Sequence, residues 1–195
     1  MWPPSLETLK SLLELPGLDG RREGGRQAAV AGVLRQAGGD LEVLMIRRAV
    51  FPGDPWSGHV ALPGGHAHTA DPSLLATARR ETREEVGIDL EQSAELLGGL
   101  GAQSPMTGMT LLVTPFFFAL REPVSLELSR EVQEAFWVPL GPIAHGERDS
   151  LYRLERGGAS FSFPAWQVGG HEVWGLTYRL LSELLQRIRG SAGGP

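Results

Sequence analysis

The stretch GHAHTADPSLLATARRETREEVGI, Gly65 to Ile88, decides how this chain is read. From Ser73 to Val86 it holds neither glycine nor proline, and Gly87 closes it, so it predicts a helix. Asp71 or Ser73 is the expected N-cap, Pro72 suits the first turn, and Gly87 fits a left-handed C-cap. At about 100° per residue, Glu81 and Glu85 point the same way and Glu84 lies to one side. Leu74, Leu75, Ala78, Thr82 and Val86 form the adjoining apolar stripe, so two carboxylates border the buried face. Crowded carboxylates repel one another and lose hydration; a divalent cation coordinated by several of their oxygens offsets both costs. Arg80 precedes Glu84 by one helical turn and can hold that carboxylate, while Arg79 and Arg83 lie nearer solvent. Arginine and glutamate alternating on a helix are ordinarily a solvated surface, and spacing alone does not overturn that reading.

Upstream, Ser5 to Leu15 spaces leucines at helical intervals and stops at Pro16-Gly17, as a short amphipathic helix does. Gln27 to Arg35 and Glu42 to Arg48 are apolar runs either side of Gly38-Gly39-Asp40, the pattern of a hairpin. Phe51 to Gly65 is broken by Pro52, Pro55, Pro63 and four glycines and reads as loop. Downstream, Glu95 to Ala102, Leu111 to Leu120 and Ala135 to Val138 predict strands, Val173 to Arg189 a closing helix, and Gly190 to Pro195 a frayed, flexible tail. No internal repeat and no linker divide the 195 residues, so the expectation is one domain of mixed strands and helices, an α+β arrangement of α/β/α sandwich type.

The composition narrows the chemistry. With no cysteine, a catalytic metal has to sit on oxygen or imidazole, which favours hard cations. A net charge of -5 argues against a broad electrostatic grip on nucleic acid, and Arg21, Arg22 and Arg26 read as a solvated patch. No apolar run reaches the roughly 18 residues of a membrane span, and a cytoplasmic location is expected. Exposed positions on the N-terminal or C-terminal helix are the candidate surfaces for a homodimer.

The half-motif Arg80-Glu81-Thr82-Arg83-Glu84-Glu85-Val86-Gly87-Ile88 resembles the second half of the Nudix box, with Thr82 in the place of an aliphatic residue. Between Gly65 and Arg80 the chain is one residue longer than the common box, and Pro72 stands where a glutamate is usual. The same extension, with aspartate at the position of Asp71, marks the coenzyme A pyrophosphatase branch of that family. Leu44 to Ala49, Gly58 to Gly65, Arg130 to Leu140 and Glu172 to Arg179 resemble further segments of that branch. Leu62 replaces a phenylalanine there, and an arginine expected near Gly53 and Asp54 is missing.

The resemblance implies the Nudix fold and a Nudix pyrophosphohydrolase that uses Mg²⁺ or Mn²⁺. Glu81, Glu84, Glu85 and the Gly64 carbonyl are the implied metal ligands; Glu84, Glu131 and Arg80 are the implied catalytic groups, with the base left open between Glu84 and Glu131. Arg48, Gly65 and His66 are the substrate-binding candidates, and His59 and His68 are read as loop or supporting residues. Trp137 and Trp174 are read as packing. Coenzyme A is the implied substrate, cut to 4'-phosphopantetheine and adenosine 3',5'-bisphosphate. ADP-ribose, dinucleotides or nucleoside triphosphates are the alternatives, and a nucleotide-sensing module without catalysis is the alternative of another class.

Overall fold

The computed structural model describes residues 2–14, 26–53, 56–105 and 110–192. The Pro16-Gly17 stop, Arg21, Arg22, Asp54 and residues 193–195 of the expected tail lie outside the described residues. In chain order the elements are α1 (Leu6–Leu12), β1 (Arg26–Ala37), β2 (Asp40–Arg48), β3 (Val60–Ala61), β4 (Gly64–His66), α2 (Leu74–Val86), α3 (Leu90–Ser93), β5 (Ala94–Gly99) and β6 (Leu111–Leu120). They continue with β7 (Val132–Pro139), α4 (Leu140–Ala144), β8 (Asp149–Arg156), β9 (Ala159–Val168), β10 (His171–Trp174) and α5 (Gly175–Ala192).

Seven strands form one mixed sheet in which β1 runs parallel to β6 and the other pairings are antiparallel. Alternate residues of its strands serve two cores. Val43, Met45, Phe117 and Ala119 pack with Leu9 of α1 and Leu181, Leu184, Leu185 and Ile188 of α5. Leu44, Ile46, Phe116 and Phe118 pack on the other face with Leu74, Leu75, Ala78 and Val86 of α2. Helices thus cover both faces, which is why Leu41 to Ile46 and Leu111 to Leu120 read as nearly unbroken apolar runs. The leucine stripes of α1 and α5 are consumed inside this core. Among the described residues no helix is long and apolar enough to cross a membrane.

β1 and β2 form the expected hairpin at their joined ends, pairing from Leu34↔Val43 to Ala37↔Asp40. Beyond that they part. β2 continues against β3 through Ile46↔Ala61, and β1 continues against β4 through Val30↔Gly64. β7 occupies the other edge of β2 and β6 the other edge of β1, so the segment from Val60 to His66 fills the wedge between the splayed strands. That wedge sets Gly64 and Gly65 in the open end of the sheet, directly before the loop that leads into α2.

Two expectations need correction. The closing helix begins at Gly175, because Val173 and Trp174 belong to β10, and it runs on through Gly190 and Ser191 to Ala192 instead of fraying at Gly190. Pro72 precedes the Ser73 cap and so lies outside the first turn of α2. The three-stranded sheet β10-β9-β8 is an addition that the sequence reading did not anticipate.

Candidate active site

Helix α2 is terminated as its sequence dictates. The Ser73 side chain accepts from the Ala76 N–H, and Gly87 caps the other end in the left-handed region at φ 76°. Between the caps the apolar stripe docks on the sheet, and Thr82 fits there fully buried, its hydroxyl donating to the Ala78 carbonyl at 2.8 Å. This docking fixes the rotation of the helix and with it the three glutamates. The Glu85 residue is 4% exposed, the Glu81 side chain 15% and the Glu84 side chain 59%, the order expected for two carboxylates at the buried margin and one beside them.

Gly64 and Gly65 meet those carboxylates. The Gly64 N–H donates to Glu85 Oε2 at 2.8 Å. A β-carbon on Gly65 would stand 2.6 Å from Glu81 Cδ and 2.7 Å from each of its oxygens, and one on Gly64 would stand 2.3 Å from the Ala29 carbonyl oxygen. Only glycine admits the Glu81 carboxylate and the β1 backbone at this distance. Burial pushes the Glu85 carboxyl up to about 8, against the Gly64 hydrogen bond and the positive charge of Arg48, while Glu81 and Glu131 reinforce the rise. Burial likewise raises Glu81, with Arg80 opposing it and Glu84 adding to it.

Arg80 is the hub of the loop. Its Nε and Nη2 reach Asp71 Oδ1 and Oδ2 at 2.9 and 3.0 Å, Nη2 also donates to the His66 carbonyl at 3.1 Å, and Nη1 lies 2.9 Å from Glu81 Oε1 and 3.0 Å from Glu84 Oε2. Asp71 is 6% exposed and also accepts from the His68 N–H and the Thr77 hydroxyl. The Arg80 hydrogen bonds hold the Asp71 carboxyl well below the usual carboxylate range against the opposing effect of burial, and the same contacts raise Arg80. Asp71 entered the sequence reading as a helix cap and as a mark of the branch; its role as the acceptor for Arg80 was missed. Every terminal nitrogen of Arg80 bonds to protein, so the geometry makes it a residue that holds the carboxylates rather than one presented to a ligand.

Of the remaining candidates, Arg48 ends β2 and Glu131 precedes β7, and both act electrostatically on Glu85. The Glu131 carbonyl accepts from the Ala49 N–H, which ties that turn to the end of β2. His66, on β4, lies 3.4 Å through Nε2 from Nη2 of Arg26, an arginine the sequence reading assigned to a solvated patch. His59 packs between Trp56 and Trp174, with ring centroids 5.9 and 5.2 Å away. Trp174 also stacks on Tyr152 at 3.9 Å, and Trp137 lies under the Arg35 guanidinium at 4.0 Å, so both tryptophans pack as expected.

The donor chemistry fits a hard divalent cation: oxygen ligands, one of them a buried carboxylate whose charge is expensive without a neutralising partner. Among the described residues no three acidic or imidazole groups stand together as a formed metal cluster. The Arg80 Nη1 lies between Glu81 and Glu84 and supplies the positive charge there.

Residues 25–154 match the model of the NUDIX domain. The chain is 42% identical over 123 residues to an uncharacterized protein of Schizosaccharomyces pombe, covering 58% of this chain and 36% of that one. It is 34% identical over 134 residues to the uncharacterized Nudix hydrolase NudL of Photorhabdus laumondii, covering 68% and 70%. Over 135 residues it is 34% identical to the human mitochondrial coenzyme A diphosphatase NUDT8, covering 67% and 56%. The match therefore spans little more than a third of the yeast relative and just over half of the human one. Among solved structures, a Caenorhabditis elegans Ap4A hydrolase superimposes with a TM-score of 0.54 at 20% identity, over 87% of this chain and 99% of that one. The NUDIX domain of Shewanella oneidensis NrtR, solved with ADP ribose, gives 0.55 at 17% identity, over 88% and 90%. At these identities the structural likeness is one of fold.

Proposed function

The chain belongs to the NUDIX hydrolase family, and from that premise we propose that it hydrolyses the pyrophosphate bond of a nucleoside diphosphate derivative. One observation carries the proposal: two carboxylates of the box helix, Glu81 and Glu85, are buried against the paired glycines Gly65 and Gly64. Coenzyme A or one of its derivatives is the substrate we favour, with 4'-phosphopantetheine and adenosine 3',5'-bisphosphate as products. The support is the likeness to the human coenzyme A diphosphatase and the one-residue extension with its aspartate, Asp71, which here accepts from Arg80.

In this reading Glu81, Glu84, Glu85 and the Gly64 carbonyl hold Mg²⁺ or Mn²⁺. Such an ion, once bound, neutralises charge on the phosphoryl oxygens and favours attack at phosphorus. The chain's own residues do the rest. Gly65 keeps the Glu81 carboxylate close to the backbone, and the Arg80 fork fixes the orientation of Glu81 and Glu84. Arg48 and His66 contact the substrate's phosphate oxygens, Arg48 through paired donors suited to that geometry. The proton of the attacking water passes to Glu84 or Glu131, the two carboxylates that reach outward from the site. The partner is a small nucleotide.

The test is a panel of coenzyme A, ADP-ribose, dinucleotides and nucleoside triphosphates, each with Mg²⁺ and with Mn²⁺, with products separated by chromatography. Cleavage of a pyrophosphate bond by the intact chain and its loss in Glu85→Gln are expected. A wild-type chain that binds these compounds tightly and cleaves none is a sensor, and the hydrolase reading fails.

A further inference from the structure

Strand β4 divides the site into two faces. Gly65 turns toward Glu81 on the α2 side. His66, the next residue, pairs with Ala28, whose side chain packs with Leu111, Val113 and Leu176 of α5 on the opposite face. Arg26 lies two residues before Ala28 on the same strand and so shares that face. Its Nη2 meets His66 Nε2 at 3.4 Å, and Arg48 and His68 lie within electrostatic reach of the same imidazole. The buried carboxylates thus lie on one face of β4 and the Arg26–His66 pair on the other, with Arg48 and His68 within electrostatic reach of both, Arg48 of Glu85 and His68 of Glu81.

Resting on the hydrolase reading, we infer that Arg26 and His66, flanked by Arg48 and His68, form a second station that grips a phosphate group of the substrate not held by the carboxylate helix. The chemistry is complementary. A substrate with two or more phosphates carries more negative charge than a cation site on α2 alone neutralises, and the oxygens that point away from it need donors. The guanidinium of Arg26 offers a planar set of N–H donors, one of them set against the His66 Nε2 acceptor that orients it, and both side chains are exposed at the mouth of the wedge. Two sources fit this chemistry: the second phosphoryl group of the pyrophosphate, and a phosphomonoester elsewhere on the nucleotide.

Calorimetric titration in the absence of divalent metal tests the station without turnover. The probes are inorganic pyrophosphate and adenosine 3',5'-bisphosphate, and the proteins are the wild type, Arg26→Ala, Arg26→Lys and Arg83→Ala. Arg83 is the control, since its side chain is 72% exposed beyond the wedge on α2. Arg26→Ala is expected to weaken at least one probe by about tenfold, as loss of a charge-assisted hydrogen bond does, with Arg26→Lys restoring part and Arg83→Ala leaving both unchanged. Weakening of pyrophosphate assigns the station to the scissile group; weakening of the bisphosphate alone assigns it to a phosphomonoester. Equal binding by wild type and Arg26→Ala, or no binding of either probe by the wild type, overturns the inference. A wild type that binds the probes through Arg26 but cleaves nothing in the substrate panel removes the hydrolase reading and leaves the station standing.

Discussion

The Glu85 carboxyl ties stability to pH in a way that can be measured without substrate. Its ionisation moves from 4.5 in an unfolded chain to about 8 in the fold, chiefly because burial disfavours the charged form. That rise of about 3.5 on the pH scale is worth about 5 kcal/mol at about 1.4 kcal/mol per unit. The native state holds the proton more tightly than the unfolded state does. The stabilising effect is thus complete below pH 4.5, declines as pH rises, and is gone once pH passes about 8. Glu85→Gln keeps the shape and an oxygen for the Gly64 N–H but cannot ionise. Urea unfolding of both proteins in EDTA, from pH 4 to pH 9, should show the wild type losing on the order of 5 kcal/mol relative to the variant. Added Mg²⁺ or Mn²⁺ should recover much of that loss at the alkaline end, since the ion takes the place of the proton. Parallel stability curves for the two proteins in EDTA would refute the account of Glu85 as a buried, strained acid.

Other perturbations have equally definite outcomes. Gly65→Ala places a methyl group 2.6 Å from Glu81 Cδ, so turnover should fall about 100-fold through a displaced carboxylate while urea stability changes by less than about 1 kcal/mol. Unchanged turnover there would mean that Glu81 has no fixed role. Asp71→Asn breaks a buried bidentate pair with Arg80 and should cost about 3 kcal/mol at pH 7 by chemical denaturation. Because Asp71 is held well below its ordinary range, that contribution should stay whole above pH 3.8, begin to decline below it and disappear only as the pH drops through the depressed native value, and a variant equal in stability at neutral pH would speak against the pair. Metal titration followed by proton release should show affinity rising about tenfold per pH unit up to about 8 and then levelling; a flat profile contradicts Glu85 as a ligand.

The box helix and the central strands were legible because their signals are local. Alternate residues of β2 and β6 feed two cores, so both strands appear as apolar runs, and Ser73 and Gly87 mark the ends of α2 in a few residues. The second sheet was equally local in its cues and was overlooked. Gly157-Gly158 and Gly169-Gly170 each place two consecutive residues at positive φ, as tight hairpins with primed turns require, and Tyr152, Leu154, Phe161 and Phe163 alternate beside them. What no sequence pattern revealed was tertiary. The contact between Arg26 and His66 spans 40 residues and exists because β4 fills the wedge beside β1. The partnership of Asp71 with Arg80 spans nine residues and crosses a loop whose path periodicity does not describe.

That partnership also explains how a lengthened loop is tolerated. Arg80 grips the carbonyl of His66 where the loop departs and the carboxylate of Asp71 where it returns, so both ends are pinned to one residue of the rigid helix. The turn between those anchors is closed on itself by the His68 N–H donating to Asp71 and the Asp71 N–H donating to the His68 carbonyl, so it hangs outward from Gly65 and Glu81. The clasp thereby insulates the placement of the two carboxylates from the surface that the intervening residues present.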